Sequence, residues 1–178
     1  MANTKVFILE DENIVAKDIE QSLKKLGYEV IGTASSGEKV KELLESGLKP
    51  EIFLMDIMIK GSMDGIEVAE YVKENYNLPV IFLTAYADEN TLSKAKITEP
   101  YGYILKPFKE IDLHTTIEMA LYKHQKTAEM KKELDVYSTL VSESENGKDY
   151  IFVKNKSKLI KISVEDLFYV EALKDYVN

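Results

Sequence analysis

Apolar strand-like runs alternate with helix-patterned segments five times between residues 5 and 121, which predicts an α/β domain on a parallel sheet. Two observations carry this. Val6-Phe7-Ile8-Leu9, Ile52-Phe53-Leu54-Met55 and Val80-Ile81-Phe82-Leu83 are unbroken apolar runs, the mark of strands buried on both faces. The segments between them place apolar residues at helical spacing and are bounded by glycine or proline.

The first strand, Lys5–Leu9, ends in acid: Glu10, Asp11 and Glu12. A helix follows, with Val15, Ile19, Leu23 and Leu26 on one stripe and Gly27 as its stop. Tyr28–Ala34 alternates imperfectly and reads as a strand nearer the sheet edge. Ser36-Gly37 starts a helix that carries Val40, Leu43 and Leu44 and ends near Gly47. Pro50 precedes the central strand, which terminates on Asp56. A loop from Ile57 to Met63, containing Gly61, leads to Asp64 as the N-cap of a helix with Ile66, Ala69 and Val72 inward.

Pro79 introduces the third fully apolar strand, and Thr84 follows it. Asp88 is read as the cap of a short helix with Leu92 and Ala95. Tyr101–Leu105 is a short fifth strand closed by Lys106-Pro107, and Ile111, Leu113, Ile117, Ala120 and Leu121 mark the last helix. With the most apolar strands central and the weaker ones at the edges, the expected order is 2-1-3-4-5. This is the flavodoxin-like doubly wound arrangement, with its switch point between the first and third strands.

From about 122 to 145 the apolar stripe thins, and the chain reads as a helix leaving the domain. Met130, Leu134, Tyr137 and Val141 keep a 4-3-4 spacing, which fits either a short coiled-coil seam or one helix side packing on the next segment of the chain. Ser142–Lys148 is expected as a loop. Tyr150–Val153, Leu159–Ile162 and Leu167–Glu171 are strand-like runs without helical spacers, so a different, antiparallel module begins there. The expected domains are 1–125, a helical linker over 126–149, and the start of a second domain over 150–178.

Composition narrows the function. The chain has 178 residues, 45% of them hydrophobic and 30% charged, a globular balance. Its formal net charge of −8 argues against a chain built mainly to coat nucleic acid. All 23 basic residues are lysines, so bidentate arginine recognition is excluded. Cysteine is absent, which removes disulfides and thiolate metal sites. No apolar run approaches a membrane span, and the N-terminal residues lack a signal peptide's apolar stretch, so the cytoplasm is the expected location.

The expected strand order sets Asp11 and Asp56 side by side, with Glu10 adjacent to both. In an open α/β sheet, ligand chemistry sits at the carboxyl ends of the strands. Carboxylates sharing one cleft raise each other's pKa unless a cation intervenes. Oxygen-only ligands with open positions suit a hard ion such as Mg2+. Thr84 adds a hydroxyl and Lys106 an ammonium at the ends of the next two strands. Taken singly, an acidic strand end, a turn threonine and a surface lysine are ordinary. Acid, acid, hydroxyl and ammonium at the ends of four consecutive sheet positions point jointly to a phosphate site.

Leu9-Glu10-Asp11-Glu12, Leu54-Met55-Asp56, Leu83-Thr84-Ala85 and Lys106-Pro107-Phe108 resemble the receiver domain of two-component response regulators over about residues 4–125. The resemblance implies that Asp56 is the phosphoacceptor. It implies that Glu10, Asp11, Asp56 and the backbone carbonyl of Met58 hold Mg2+. Lys106 and Thr84 would contact the phosphoryl group, and Tyr103 would be the aromatic that follows Thr84 on activation. For Tyr103 a strand aromatic packed on the last helix is the rival reading. The Lys106-Pro107 bond is typically cis in this family. A sensor histidine kinase is the implied donor, a homodimer formed on phosphorylation a further expectation, and self-catalysed phosphoryl transfer the only chemistry, so the chain is not expected to be an enzyme.

Residues 151–178 resemble the opening of a LytTR-type DNA-binding domain, in Ile151–Lys154 and Ile162–Ala172. The base-reading part would lie beyond Asn178, so no DNA-contacting residue is named, and the chain is expected to be cut short within that domain. Without arginine, the Arg–carboxylate network some receivers use for dimerisation cannot form. Met58, two residues past the acceptor, offers no polar side chain to orient water, so slow self-dephosphorylation is expected.

Three other readings compete. A haloacid dehalogenase-type aspartyl nucleophile would sit after the first strand with a second Asp two residues later, whereas Asp56 follows the third strand. A flavodoxin-like cofactor binder needs a Ser/Thr/Gly-rich phosphate cradle after the first strand, where this chain is acidic. A receiver with a protein-interaction output through the 122–145 helix keeps the phosphate site and drops transcription.

Overall fold

The computed structural model describes the backbone of residues 3–85, 89–144, 150–155 and 158–163. The chain divides into two compact units, Met1–Lys126 and Thr127–Asn178.

In the first unit five strands, β1 (Lys5–Leu9), β2 (Glu29–Ala34), β3 (Ile52–Asp56), β4 (Val80–Thr84) and β5 (Gly102–Leu105), alternate with α1 (Asn13–Lys25), α2 (Gly37–Glu45), α3 (Gly65–Tyr76), α4 (Glu89–Ile97) and the first part of α5 (Glu110–Ser144), whose residues from Thr127 on belong to the second unit. All neighbouring strands run parallel, in the order β2-β1-β3-β4-β5. This is the expected flavodoxin-like sheet, with β3 and its neighbours central.

The period of two along each strand divides the core between the two faces. Phe7, Leu9, Phe53, Met55 and Phe82 pack with Val40 and Leu44 of α2, Val68 and Val72 of α3 and Ala95 of α4. Val6, Ile8, Ile52, Leu54, Ile81 and Leu83 pack with Ile19 and Leu23 of α1 and Leu113, Ile117 and Ala120 of α5. Phe7 and Phe53 meet at 5.1 Å between ring centroids. Every residue of β3 and β4 is buried, as their unbroken apolar runs require.

Local signals hold at the helix ends. Gly27 (φ +88) and Gly47 (φ +97) end α1 and α2 in the left-handed region. Asp64 caps α3 in a complete capping box with Glu67. Of the apolar residues that mark α5, Ile111 is 61% exposed. Leu113, Ile117 and Ala120 form the buried stripe, and Ile111, two residues before Leu113, falls on the far side of the helix. The Lys106–Pro107 bond is cis, as expected.

Helix α5 runs without a break to Ser144, so the expected loop begins later than Ser142. Met130 and Leu134 on it are 66% and 67% exposed. In the second unit β6 (Tyr150–Asn155) and β7 (Lys158–Ser163) form an antiparallel pair, matching two of the expected runs. Asp88, the side chains of Leu92, Tyr137 and Val141, and the run Leu167–Glu171 lie outside the described residues. Among the described residues, no helix is long and apolar enough to cross a membrane.

Candidate functional site

Parallel register brings the strand ends to one rim. Leu9 lies opposite Met55, Asp56 opposite Leu83, and Thr84 opposite Leu105. Glu10, Asp56, Thr84 and Lys106 therefore stand in a row on four adjacent strands. Glu10, Asp56 and Thr84 are buried, at 2%, 7% and 1% exposure.

Asp56 uses both carboxylate oxygens. The Met58 N–H donates to Oδ1 at 2.9 Å, and Lys106 Nζ donates to Oδ2 at 2.6 Å. Lys106 Nζ also donates to Glu10 Oε2 at 2.6 Å, and the Glu12 N–H reaches Glu10 Oε1 at 3.3 Å. One ammonium thus bridges two buried carboxylates. Burial is the largest influence on Glu10, and with the nearby Asp56 charge it raises the carboxyl pKa against the opposing pull of Lys106. Burial works against the Lys106 ammonium, but its bonds to Asp56 and Glu10 and their charges outweigh this and hold its pKa above the ordinary lysine value.

Thr84 is tied to Lys106 through the backbone: the Lys106 N–H donates to the Thr84 carbonyl at 2.8 Å. Tyr103, three residues before Lys106, sits opposite Phe82 in the register, with ring centroids 5.8 Å apart. It packs against the core on the sheet face covered by α2, α3 and α4, and also lines a cleft with Asp112, Thr115 and Thr116 of α5. Its hydroxyl is buried without a hydrogen-bond partner among the described residues, and burial raises its pKa. A buried hydroxyl left unpaired costs about 1–3 kcal/mol.

The third acid, Asp11, turns to the loop after β3. Lys60 Nζ lies 3.1 Å from Asp11 Oδ2. Asp11's hydrogen bond and charge, with the charge of Glu12, raise the Lys60 pKa. That loop is anchored. Ile57 is buried, and Ile59 and Met63 pack on the core. Both the backbone N–H of Ser62 (3.2 Å) and its hydroxyl donate to Glu38 Oε1, and Glu38, in the first turn of α2, has its pKa lowered to about 2, chiefly by the Ser62 hydroxyl. Gly61 makes the turn at φ +142, a conformation open to glycine. Gly65 lets α3 begin against β3: a Cβ there would lie 1.9 Å from the Asp56 carbonyl oxygen.

Sequence reasoning located Glu10, Asp11, Asp56, Thr84 and Lys106 but missed Lys60, Glu38 and Ser62. Lys60, four residues past Asp56 in a predicted loop, was a readable signal for the first. Nothing local connects Glu38 with Ser62.

The donor set fits a hard cation. Glu10, Asp11 and Asp56 offer carboxylate oxygens, and the exposed Met58 offers a main-chain carbonyl, with no sulfur or imidazole among them. Among the described residues, however, no three acidic or histidine side chains close on one point. Lys106 and Lys60 meet the negative charge instead.

Comparison with known proteins is decisive for the family. The family model described as response regulator receiver domain matches residues 6–118. The chain belongs to the response regulator receiver family. The matched stretch holds every rim residue described above. The transcriptional regulatory protein PdtaR of Mycobacterium tuberculosis is 30% identical over 134 residues, 75% of this chain and 64% of that protein. The chain thus spans just under two thirds of the length of that relative. The uncharacterized transcriptional regulatory protein YrkP of Bacillus subtilis is 27% identical over 165 residues, covering 93% of this chain and 68% of that protein. The signal receiver domain of a modulated diguanylate cyclase from Desulfovibrio desulfuricans superposes with a TM-score of 0.68 at 37% identity, covering 71% of this chain and 99% of that one. Both of these curated relatives are described as transcriptional regulatory proteins.

Proposed function

We propose that Asp56 is the phosphoacceptor of this receiver and that Glu10, Asp11, Thr84, Lys106 and Tyr103 serve its phosphorylation. The observation that carries the reading is the Lys106 ammonium held 2.6 Å from the Asp56 carboxylate on the rim shared with Thr84. An Asp56 oxygen attacks the phosphorus of a phosphohistidine on a sensor histidine kinase, or of a small acyl phosphate. The new P–O bond forms as the P–N or P–O bond to the donor breaks, and the donor leaves with the electron pair. Lys106, already beside the nucleophile, offsets charge on the phosphoryl oxygens. Glu10, Asp11, Asp56 and the Met58 carbonyl would hold Mg2+, which supplies further neutralisation of those oxygens when bound.

The phosphoryl group brings acceptor oxygens to the rim, and the Thr84 hydroxyl is the donor at the end of β4 to meet them. Movement of Thr84 makes room for Tyr103, whose buried hydroxyl gains a hydrogen-bond partner by turning outward. The stretch from β4 through β5 to Phe108 is the region so biased.

For the output we keep the order 1–125 receiver, 126–149 helical linker and 150–178 start of a LytTR-type DNA-binding domain. The antiparallel β6–β7 pair fits the strand-rich start of such a domain, and the relatives named as transcriptional regulatory proteins support a transcriptional output. Transcription regulation in the cytoplasm, with a homodimer formed on phosphorylation, is the corresponding role. The exposed Met130 and Leu134 on α5 favour a second reading, a protein-interaction output through that helix.

Incubation with acetyl phosphate and Mg2+, followed by intact-protein mass, tests the reading. Wild type gains one phosphoryl group and Asp56→Ala gains none. With Met58 carrying no polar group, the adduct decays over minutes or longer. A wild type that gains no mass, or an Asp56→Ala variant that gains as much, overturns the proposal.

A further inference from the structure

Among the described residues two ammonium groups reach the acidic cleft, and they are held in different ways. Lys106 is 14% exposed and bonded to two carboxylates. Lys60 is 90% exposed and, among the described residues, pairs with Asp11 alone, at 3.1 Å, while Asp11 itself is 11% exposed. The backbone under Lys60 is pinned on both sides, by Ile59 and Ile57 in the core and by Ser62 on Glu38. The loop therefore delivers the ammonium to the cleft mouth, and the long exposed stem lets it leave at little cost in packing.

Resting on the reading of Glu10, Asp11 and Asp56 as a divalent-cation site, we infer that Lys60 is a tethered counter-cation that covers Asp11 in the metal-free protein and competes with the divalent ion for its carboxylate. Charge sets the competition. A hard dication taking the Asp11 oxygen displaces the ammonium 3.1 Å away, and the two positive charges then repel. Binding the ion includes breaking the Lys60–Asp11 pair. An ion pair with one partner in water is worth a modest amount, which sets the expected effect at about two- to fivefold in affinity. Lys60 is thus a positioning residue that adjusts the cation concentration at which the receiver becomes competent. It also keeps Asp11 from facing Glu10 and Asp56 as an unneutralised third charge.

The test is calorimetric titration of the full chain with MgCl2 at low ionic strength, in wild type, Lys60→Met, Lys60→Arg and Lys49→Met. Lys49 is an exposed lysine just before β3, at the opposite end of that strand from Asp56, and controls for net charge. Lys60→Met is expected to bind Mg2+ about two- to fivefold tighter than Lys49→Met, with the advantage shrinking as KCl is added. Lys60→Arg retains wild-type affinity. Lys60→Met affinity equal to or weaker than that of Lys49→Met overturns the inference and leaves the cation site standing. Absence of Mg2+ binding in all four proteins overturns the site and the inference together. Equal melting temperatures for wild type and Lys60→Met confirm that the change in affinity is not a change in folding.

Discussion

Glu10 and Asp56 are buried carboxylates that share one counter-charge, since Lys106 Nζ reaches each of them at 2.6 Å. Removing that ammonium leaves two buried acids facing each other without a counter-charge. Lys106→Met is expected to lower stability by about 2–4 kcal/mol at low Mg2+, read from urea unfolding. Adding Asp56→Asn to that variant should restore part of the loss, because the second change removes one of the orphaned charges. A Lys106→Met protein as stable as wild type would mean that the bridge contributes nothing. These residues were legible in the sequence because each ends or directly follows an apolar strand. Their pairing was not, since sequence reasoning assigned Lys106 to the incoming phosphate and left the carboxylates to the metal. Tyr103 was legible as the aromatic that the receiver resemblance places behind Thr84, but the sheet face it shares with Phe82 follows from the strand register.

The loop between β3 and α3 is the element on which the site leans. Its clasp to α2 is one exposed carboxylate, Glu38, whose pKa is lowered from 4.5 to about 2 by the Ser62 hydroxyl and neighbouring backbone and side-chain donors. A folded-state pKa below the unfolded one means a contribution fully present above pH 4.5 and lost as pH falls toward 2. The melting-temperature gap between wild type and Glu38→Gln should therefore be constant above pH 4.5 and close below it. A gap independent of pH would show that the carboxylate's charge is not what holds Ser62. Asp64 as an N-cap and Gly61 as a turn could be read locally, because capping and positive φ are single-residue preferences. The Glu38–Ser62 bond joins two segments across 24 positions and depends on how α2 and α3 lie side by side. The exposure of Ile111 has a related cause: Leu113, Ile117 and Ala120 set the phase of the buried stripe, and the packing of α5 on the sheet selects them.

At the scale of the whole molecule, the first unit owns both halves of the core, both sheet faces and the entire rim. Residues 1–126 made alone are expected to unfold in one cooperative transition and to take up a phosphoryl group from acetyl phosphate as the full chain does. Loss of cooperative unfolding in that fragment would show that the receiver draws its stability from residues after Lys126. The alternation of elements, the strand order and the row of chemistry-bearing residues at the strand ends could all be read from the chain. Hydrophobic periodicity is local, and right-handed crossovers between parallel strands leave few ways to assemble it. Folding in three dimensions set the partners: Lys106 across Glu10 and Asp56, Lys60 on Asp11, and Ser62 on Glu38. Those partnerships depend on the reach and direction of side chains brought together from distant positions, which no periodicity in the chain encodes.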